Sequence, residues 1–332
     1  MCSSDLTAFS FTYDNQVAAP TVTLSADSGS SSTDKITNVG ILTITGVEAG
    51  GVVEYSSNTS TWGTTAPGLS QGSNTVYVRQ TDLAGNISSA TAFSFTYDNQ
   101  ISTPTVALSS DSGSSNTDKV TNVGSLSLSG IEAGALVEYS ANGSSGWSAT
   151  APALSQGSNT TYVRQTDAAG NVSAAIALTF TYDNQVAAPT VALSSDSGSS
   201  NTDKITNLGG LSITGVEAGA LVEYSANGSS GWSVTAPSLS QGSNTVYVRQ
   251  TDLAGNVSTG TAFSFTYDSQ IATPSVVLFS DTGASSTDLI TSAGSLSLSG
   301  LEAGALVEYS ADLANWSSTA PALSQGGNTV YV

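Results

Sequence analysis

The sequence predicts an all-β protein, a tandem array of antiparallel β-sandwiches set head to tail, with about seven short strands in each. Three observations predict it. The peptide Thr-Tyr-Asp-Asn-Gln ends at Gln16, Gln100 and Gln185, and its variant Thr-Tyr-Asp-Ser-Gln ends at Gln270, so the text recurs every 84 or 85 residues. A period that long is a whole small domain rather than a solenoid turn. Within each period, short apolar–polar alternations rich in Val, Thr and Ser are separated by turn residues, and no segment carries the 3.6-residue apolar rhythm of a helix.

In residues 101–185, Pro104-Thr-Val-Ala-Leu108 alternates and opens the domain as a strand. A proline at its start suits an edge strand and stiffens the junction. A polar loop covers 109–122. Leu126-Ser-Leu128-Ser has period two and ends in a turn at Glu132-Ala-Gly134. Ala135-Leu-Val-Glu-Tyr139 is the next strand, closed at Asn142-Gly143, and Trp147 falls in a short strand beyond. Leu154-Ser-Gln-Gly157 turns the chain into Thr160-Thr-Tyr-Val-Arg-Gln-Thr166. Asp167-Ala-Ala-Gly-Asn171 is a further turn, and Ile176-Ala-Leu-Thr-Phe180 closes the domain.

The period divides the chain into the end of a preceding repeat (1–16), three full repeats (17–100, 101–185, 186–270) and a truncated one (271–332). Residues 7–16 copy residues 91–100 without a change, but Cys2-Ser-Ser-Asp-Leu6 stands where the repeat would place Asn-Ile-Ser-Ser-Ala. The codons TGC-TCT-TCC-GAT-CT, the end of a widely used sequencing adapter, encode those five residues. Residues 1–6 are therefore expected to be adapter-derived and the chain a fragment of a longer array; a short native tail is the alternative.

Six basic residues stand against 25 acidic ones, a formal charge of −19. Nucleic-acid phosphates and anionic membranes need Lys and Arg, which argues against both as partners. No signal peptide or membrane span is visible. Cys2 is the only cysteine and there is no histidine. The repeats therefore hold no disulfide framework, no Cys or His nucleophile and no ordinary zinc site. Near-identical copies suit a task that gains from number and length, so the expectation is a non-catalytic protein.

Asp-x-Ala-Gly-Asn-x-Ser after a Val-rich strand, with Leu-Ser-Gln-Gly before it and a Trp upstream, resembles the bacterial immunoglobulin-like repeats. Those repeats fill the long middle regions of giant secreted adhesins and biofilm-associated (RTX-type) surface proteins. The resemblance covers residues 7–332. It implies immunoglobulin-like sandwiches, an extracellular or cell-surface location, and an extender role that projects a distal binding domain toward a receptor outside this chain. It also implies junctions stiffened by calcium. Two alternatives stay open: weak glycan-binding modules that gain avidity from the array, and spacer repeats of a secreted enzyme.

Each full repeat carries six acidic residues, in the first Asp27, Asp34, Glu48, Glu54, Asp82 and Asp98. Only Glu54 sits within a strand, and Arg79 is expected opposite it. An immunoglobulin-like topology places Asp27, Asp34 and Asp98 at one pole, and the turns bearing Glu132 and Asp167 at the facing pole of the next repeat. Carboxylates so gathered repel, by roughly 4 kcal/mol for a pair about 4 Å apart at an effective dielectric near 20. A hard cation such as Ca²⁺, with six to eight oxygen ligands, relieves that. The expected junction sets are Asp27, Asp34 and Asp98 with Glu132 or Asp167; Asp111, Asp118 and Asp183 with Glu217 and Asp252; and Asp196, Asp203 and Asp268 with Glu302. Against this, Asp and Asn are ordinary turn formers, and no EF-hand or β-roll calcium motif is present. Trp62, Trp147, Trp232 and Trp316 are expected to fill cores. Gln80 and its copies, on one face with Val76 and Val78, are expected to be buried amides that need partners. Asn-x-Ser/Thr sites such as Asn86, Asn171 and Asn256 read as chance occurrences.

Overall fold

The computed structural model describes residues 7–332; the expected adapter residues 1–6 lie outside the described residues. In the first complete repeat the strands are β1 (Thr21–Leu24), β2 (Ile36–Thr37), β3 (Leu42–Thr45), β4 (Val52–Ser56), β5 (Gly72–Thr81) and β6 (Thr91–Tyr97). Pleating sends alternate side chains to opposite faces. Along β5 it buries Val76, Val78 and Gln80 and leaves Tyr77 and Arg79 on the outer face. β1 pairs antiparallel with β3, Thr21 opposite Thr45 and Leu24 opposite Leu42. The second sheet runs β2-β6-β5-β4, and in it the two-residue β2 lies parallel to β6, Ile36 opposite Thr96 and Thr37 opposite Tyr97. Val22 from the small sheet and Val76, Val78 and Phe95 from the large one form the core between them.

The same order recurs as β7 (Thr105–Leu108), β8 (Val120–Thr121), β9 (Leu126–Ser129), β10 (Leu136–Ser140), β11 (Gly157–Thr166) and β12 (Ile176–Tyr182). It recurs again as β13 (Thr190–Leu193), β14 (Ile205–Thr206), β15 (Leu211–Thr214), β16 (Leu221–Ser225), β17 (Gly242–Thr251) and β18 (Thr261–Tyr267). β19 (Ser275–Leu278) and β20 (Leu296–Ser299) belong to the truncated repeat. Among the described residues every assigned element is a strand, and no helix is long and apolar enough to cross a membrane. The chain divides into two compact units: one runs to Val186 and includes Glu217–Ala220 and Thr251–Val257, and the other holds Ala187–Val216, Leu221–Gln250 and Ser258–Val332.

Three details differ from, or sharpen, the sequence reading. The expected strand around Trp147 is a single bridge, Tyr139 to Ser148. The loop before it is wound by Asn142 Oδ1, which accepts from the Ser144 and Ser145 amides at 2.9 Å each, and Ala149-Thr-Ala151 leads from the bridge to Pro152. β8 lies inside the span read as loop, since two residues are too few for a period to show. The tryptophans do not fill the cores. Trp62 is half-buried on the outer face with the Arg79 guanidinium 4.1 Å from its ring centroid. Arg79 stands opposite Glu54 in the β4–β5 register, as expected, and its Nε donates to Glu54 Oε2 at 2.9 Å. Arg164 on Trp147 and Arg249 on Trp232 repeat the arrangement. An outer-face cation–π contact of this kind contributes about 0.5–1 kcal/mol.

The buried glutamine is satisfied at every group. Gln165 Nε2 donates to Ser102 O at 2.8 Å and Gly130 O at 3.0 Å, and its Oε1 accepts from Glu132 N at 2.9 Å. One amide thus ties the incoming linker to the β9–β10 turn and sets the backbone position of Glu132. Gln165→Ala strands three part-buried backbone groups, each costing roughly 1–3 kcal/mol when unpaired and out of reach of water. The expected outcome in chemical denaturation is a loss on the order of 3 kcal/mol for the transition that includes residues 101–185.

Candidate functional site: the seam between repeats

The seam is built from two loops. On the incoming side is the turn of residues 167–171. Gly170 has a φ of +90°, open to a residue without Cβ. Asn171 N donates to Asp167 Oδ1 at 2.8 Å and Asn171 Nδ2 to Asp167 Oδ2 at 2.7 Å, so the carboxylate clamps the turn from inside. On the outgoing side is the loop from Ala26 to Val39. Buried Thr37 pins it by donating to Ala26 O at 3.0 Å and accepting from Val39 N at 3.0 Å. Asp27 Oδ2 accepts from Lys35 N at 3.0 Å, and Asp34 Oδ1 from Ile36 N at 3.0 Å.

The two loops meet directly. Ser28 Oγ donates to Ala169 O at 2.7 Å, Ser30 N to Ala168 O at 3.3 Å, and Asn38 Nδ2 to Asn171 Oδ1 at 3.2 Å. Asn171 Nδ2 also donates to Asp98 O at 2.9 Å, holding the end of the preceding repeat. Gly29, at a φ of +95°, lies so close to this turn that a Cβ there would be 1.9 Å from Ala168 O. The next seam repeats the pattern with Ser112 on Ala254 O at 2.7 Å, Asn122 on Asn256 at 3.2 Å and Asn256 on Asp183 O at 2.8 Å. Ala169 and Ala254 are fully buried, whereas Ala84 at the same position in the first complete repeat is exposed.

Among the described residues, two groups of carboxylates bring one oxygen each within 4.8 Å of one another: Asp14, Glu48 and Asp82, and Asp183, Glu217 and Asp252. The second joins three of the residues that the sequence singled out. The first was missed, although its members lie one period before Asp98, Glu132 and Asp167. At the intervening seam Asp98 and Glu132 line one polar cleft; Asp98 accepts from the Gln71 amide and Glu132 Oε1 from Ser102 N at 2.9 Å. Glu302 makes the matching bond to Ala272 N at 2.7 Å, and Asp268 accepts from Gln241. Asp27, Asp34, Asp111, Asp118, Asp196 and Asp203 join neither group and instead accept backbone N–H groups within their own loops. Oδ1 of Asp27, Asp111 and Asp196 is buried without a hydrogen-bond partner.

The sequence profile described as bacterial Ig-like domain matches residues 15–99, 100–184 and 185–269. The chain belongs to this family. No curated protein matches it. Where residues 26–39 touch residues 168–171, its Ig-like repeats do so through backbone carbonyls and short polar side chains.

The Asn86 side-chain amide holds the Asp82 carboxyl below its ordinary value; the backbone N–H groups of Asn86, Ala84 and Gly85 help, and burial opposes them. A carboxyl depressed by folding stabilises the fold fully above the unfolded Asp value, near 3.9, and that stability is lost as pH falls through the folded value. The melting temperature of the first Ig-like repeat is expected to hold on acidification until about pH 4 and then to fall, and Asp82→Asn is expected to flatten that fall. Gly29 and Gly198 offer an internal comparison, since both have positive φ but a Cβ on Gly198 meets nothing. Gly198→Ala is expected to lose only the left-handed backbone cost, roughly 1–2 kcal/mol. Gly29→Ala is expected to lose that and the seam, read as independent rather than coupled unfolding of residues 17–100 and 101–185.

Proposed function

We infer that the chain is a non-catalytic extender segment of a large bacterial surface or secreted protein of the adhesin kind. It sets the distance between an anchor and a distal binding domain. The observation that carries this reading is the seam. Successive Ig-like repeats touch through Ser28, Gly29 and the 168–171 turn, so the connection is a packed joint rather than a free linker. A joint of that kind converts copy number into reach, at roughly 40 Å per sandwich from strands of about ten residues rising ~3.3 Å each plus loops.

Calcium at the seam is part of the proposal. Asp183, Glu217 and Asp252 supply three hard carboxylate oxygens within 4.8 Å, a donor set that fits Ca²⁺ and offers nothing to softer metals. Asp14, Glu48 and Asp82 form the same set two periods earlier, and Asp98, Glu132 and Asp167 are the corresponding residues between them. A bound divalent cation would supply charge neutralisation. The residues would hold the carboxylates together, and the Asn86 and Asn256 clamps would orient Asp82 and Asp252.

Calorimetric titration with CaCl₂ is expected to give saturable heat and a raised melting temperature, and Asp252→Asn is expected to remove one site. No heat and an unchanged melting temperature at millimolar calcium would overturn the calcium part alone. The extender part is tested by small-angle scattering of two-repeat and three-repeat chains. The maximum dimension is expected to grow by a constant increment near 40 Å; growth as the square root of repeat number, the signature of a flexible chain, would overturn it.

A further inference from the structure

The chain holds eight Asn-x-Ser/Thr triplets, and they differ in what the asparagine Nδ2 does. At the seams it is engaged twice. Asn171 Nδ2 donates to Asp98 O at 2.9 Å and Asp167 Oδ2 at 2.7 Å, and Asn256 Nδ2 to Asp183 O at 2.8 Å and Asp252 Oδ2 at 2.7 Å. Asn86 Nδ2 is held in the same way by Asp14 O and Asp82 Oδ2. Asn159 Nδ2 donates to Ser155 O and Gly157 O at 2.7 Å each, and Asn315 Nδ2 to Asp312 Oδ2 at 2.8 Å. The other three are Asn58-Thr-Ser60, Asn142-Gly-Ser144 and Asn227-Gly-Ser229. They occupy one place, the loop that follows β4, β10 and β16.

In that loop the amide oxygen is the engaged end. Asn142 Oδ1 accepts from Ser144 N and Ser145 N at 2.9 Å each. Asn227 Oδ1 accepts from Ser229 N at 2.9 Å and Ser230 N at 2.8 Å, and Asn58 Oδ1 from Ser60 N at 2.9 Å and Thr61 N at 3.0 Å. All three asparagines are exposed. Among the described residues, every side-chain hydrogen bond of Asn58 goes to its Oδ1, so its Nδ2 is free. Nδ2 of Asn142 and Asn227 meets a single exposed hydroxyl, Ser145 Oγ at 3.1 Å and Ser230 Oγ at 3.0 Å. The triplet serine also lies on its own asparagine: Ser144 Oγ donates to Asn142 Oδ1, and Ser229 Oγ to Asn227 Oδ1, at 3.1 Å each.

The turn itself does not require this triplet. Asp312 Oδ1 accepts from Ala314 N and Asn315 N at 2.9 Å each, and so winds the same turn with neither the amide nor the serine. The loops of the complete repeats also differ, Ser57-Asn-Thr-Ser-Thr61 in the first and Ala141-Asn-Gly-Ser-Ser-Gly146 in the second. What they share is Asn-x-Ser. We propose that Asn58, Asn142 and Asn227 are acceptors of N-linked sugar, one in each complete repeat, taken from a nucleotide-activated hexose. An Asn-x-Ser/Thr triplet in an exposed loop is the acceptor pattern for that modification. In the transfer, Nδ2 bonds to C1 of the hexose. The bond from C1 to the diphosphate oxygen breaks, and the nucleoside diphosphate leaves with the electron pair. The proton displaced from Nδ2 passes to a base of the transferase. The seam triplets are closed to this chemistry, because Nδ2 of Asn171 and Asn256 is committed to the carbonyls of Asp98 and Asp183.

The test is incubation of the whole folded chain with a soluble N-glycosyltransferase and UDP-glucose, with the modified sites read by mass spectrometry. A hexose is expected on each of the peptides bearing Asn58, Asn142 and Asn227, and none on Asn171 or Asn256. A short peptide spanning Asn171-Val-Ser173, free of the seam, is expected to accept the sugar. Ser144→Ala keeps the backbone N–H that winds the turn, as Ala314 does. It is expected to leave the melting temperature unchanged and to lose the sugar on Asn142 alone. Absence of sugar from the three loop asparagines would overturn the proposal. So would transfer to Asn171 and Asn256 of the folded chain as readily as to the loops, refusal of the free peptide, or sugar on Asn142 that survives Ser144→Ala.

Discussion

The seam between repeats depends on a glycine set directly against a carbonyl. Gly29 sits against Ala168 O at a distance that no side chain tolerates, and the rest of the seam is arranged around that contact. The incoming turn must present its carbonyls outward, which requires the left-handed Gly170 and the Asp167–Asn171 clamp. The outgoing loop must come forward without collapsing, which requires Thr37 beneath it and Asp27 and Asp34 folded back onto their own backbone. Asp27 and Asp34 are thereby turned into their own loop, whereas Asp167 both shapes its turn and lies at the joint.

Domains of this size bury a modest core, and here Val76, Val78 and Phe95 are supplemented by a polar element. Gln165 converts three backbone groups that would otherwise demand water into internal partners. It does so at the pole where Glu132 emerges, so the same amide that finishes the core aims a seam carboxylate. Stability and the placement of negative charge are therefore coupled through one side chain.

Much of this was legible in the residues. The strands declare themselves by alternation and the repeats by their period. Glu54 opposite Arg79 and the buried Gln80 follow from counting along a pleat. Asp183, Glu217 and Asp252 were found because topology alone sends strand ends and turns to the same pole. The rest depended on contacts that no local pattern encodes. Trp62 lies outside because its partner is Arg79, an outward residue of a neighbouring strand, and not the core that its size suggests. Asp27 and Asp34 share a pole with Asp98 but turn their oxygens inward, which only backbone direction reveals. Asn171, in an ordinary-looking Asn-x-Ser, is the hub of the seam because its amide reaches Asp98 and Asn38, residues of another domain.

The parallel pairing of the two-residue β2 with β6 has a mechanical consequence. β6 is the last strand before the next repeat, and it leaves the sheet flanked on both sides, by β5 and by β2. A pull along it loads the bonds from Thr96 N to Lys35 O and from Asp98 N to Thr37 O across their length, together with the β5 ladder, since sheet hydrogen bonds run crosswise to the strands. Such bonds must shear as a set instead of opening one after another from an end. In the proposed extender role, two residues of parallel strand would add a second row of bonds that must shear before β6 leaves the sheet.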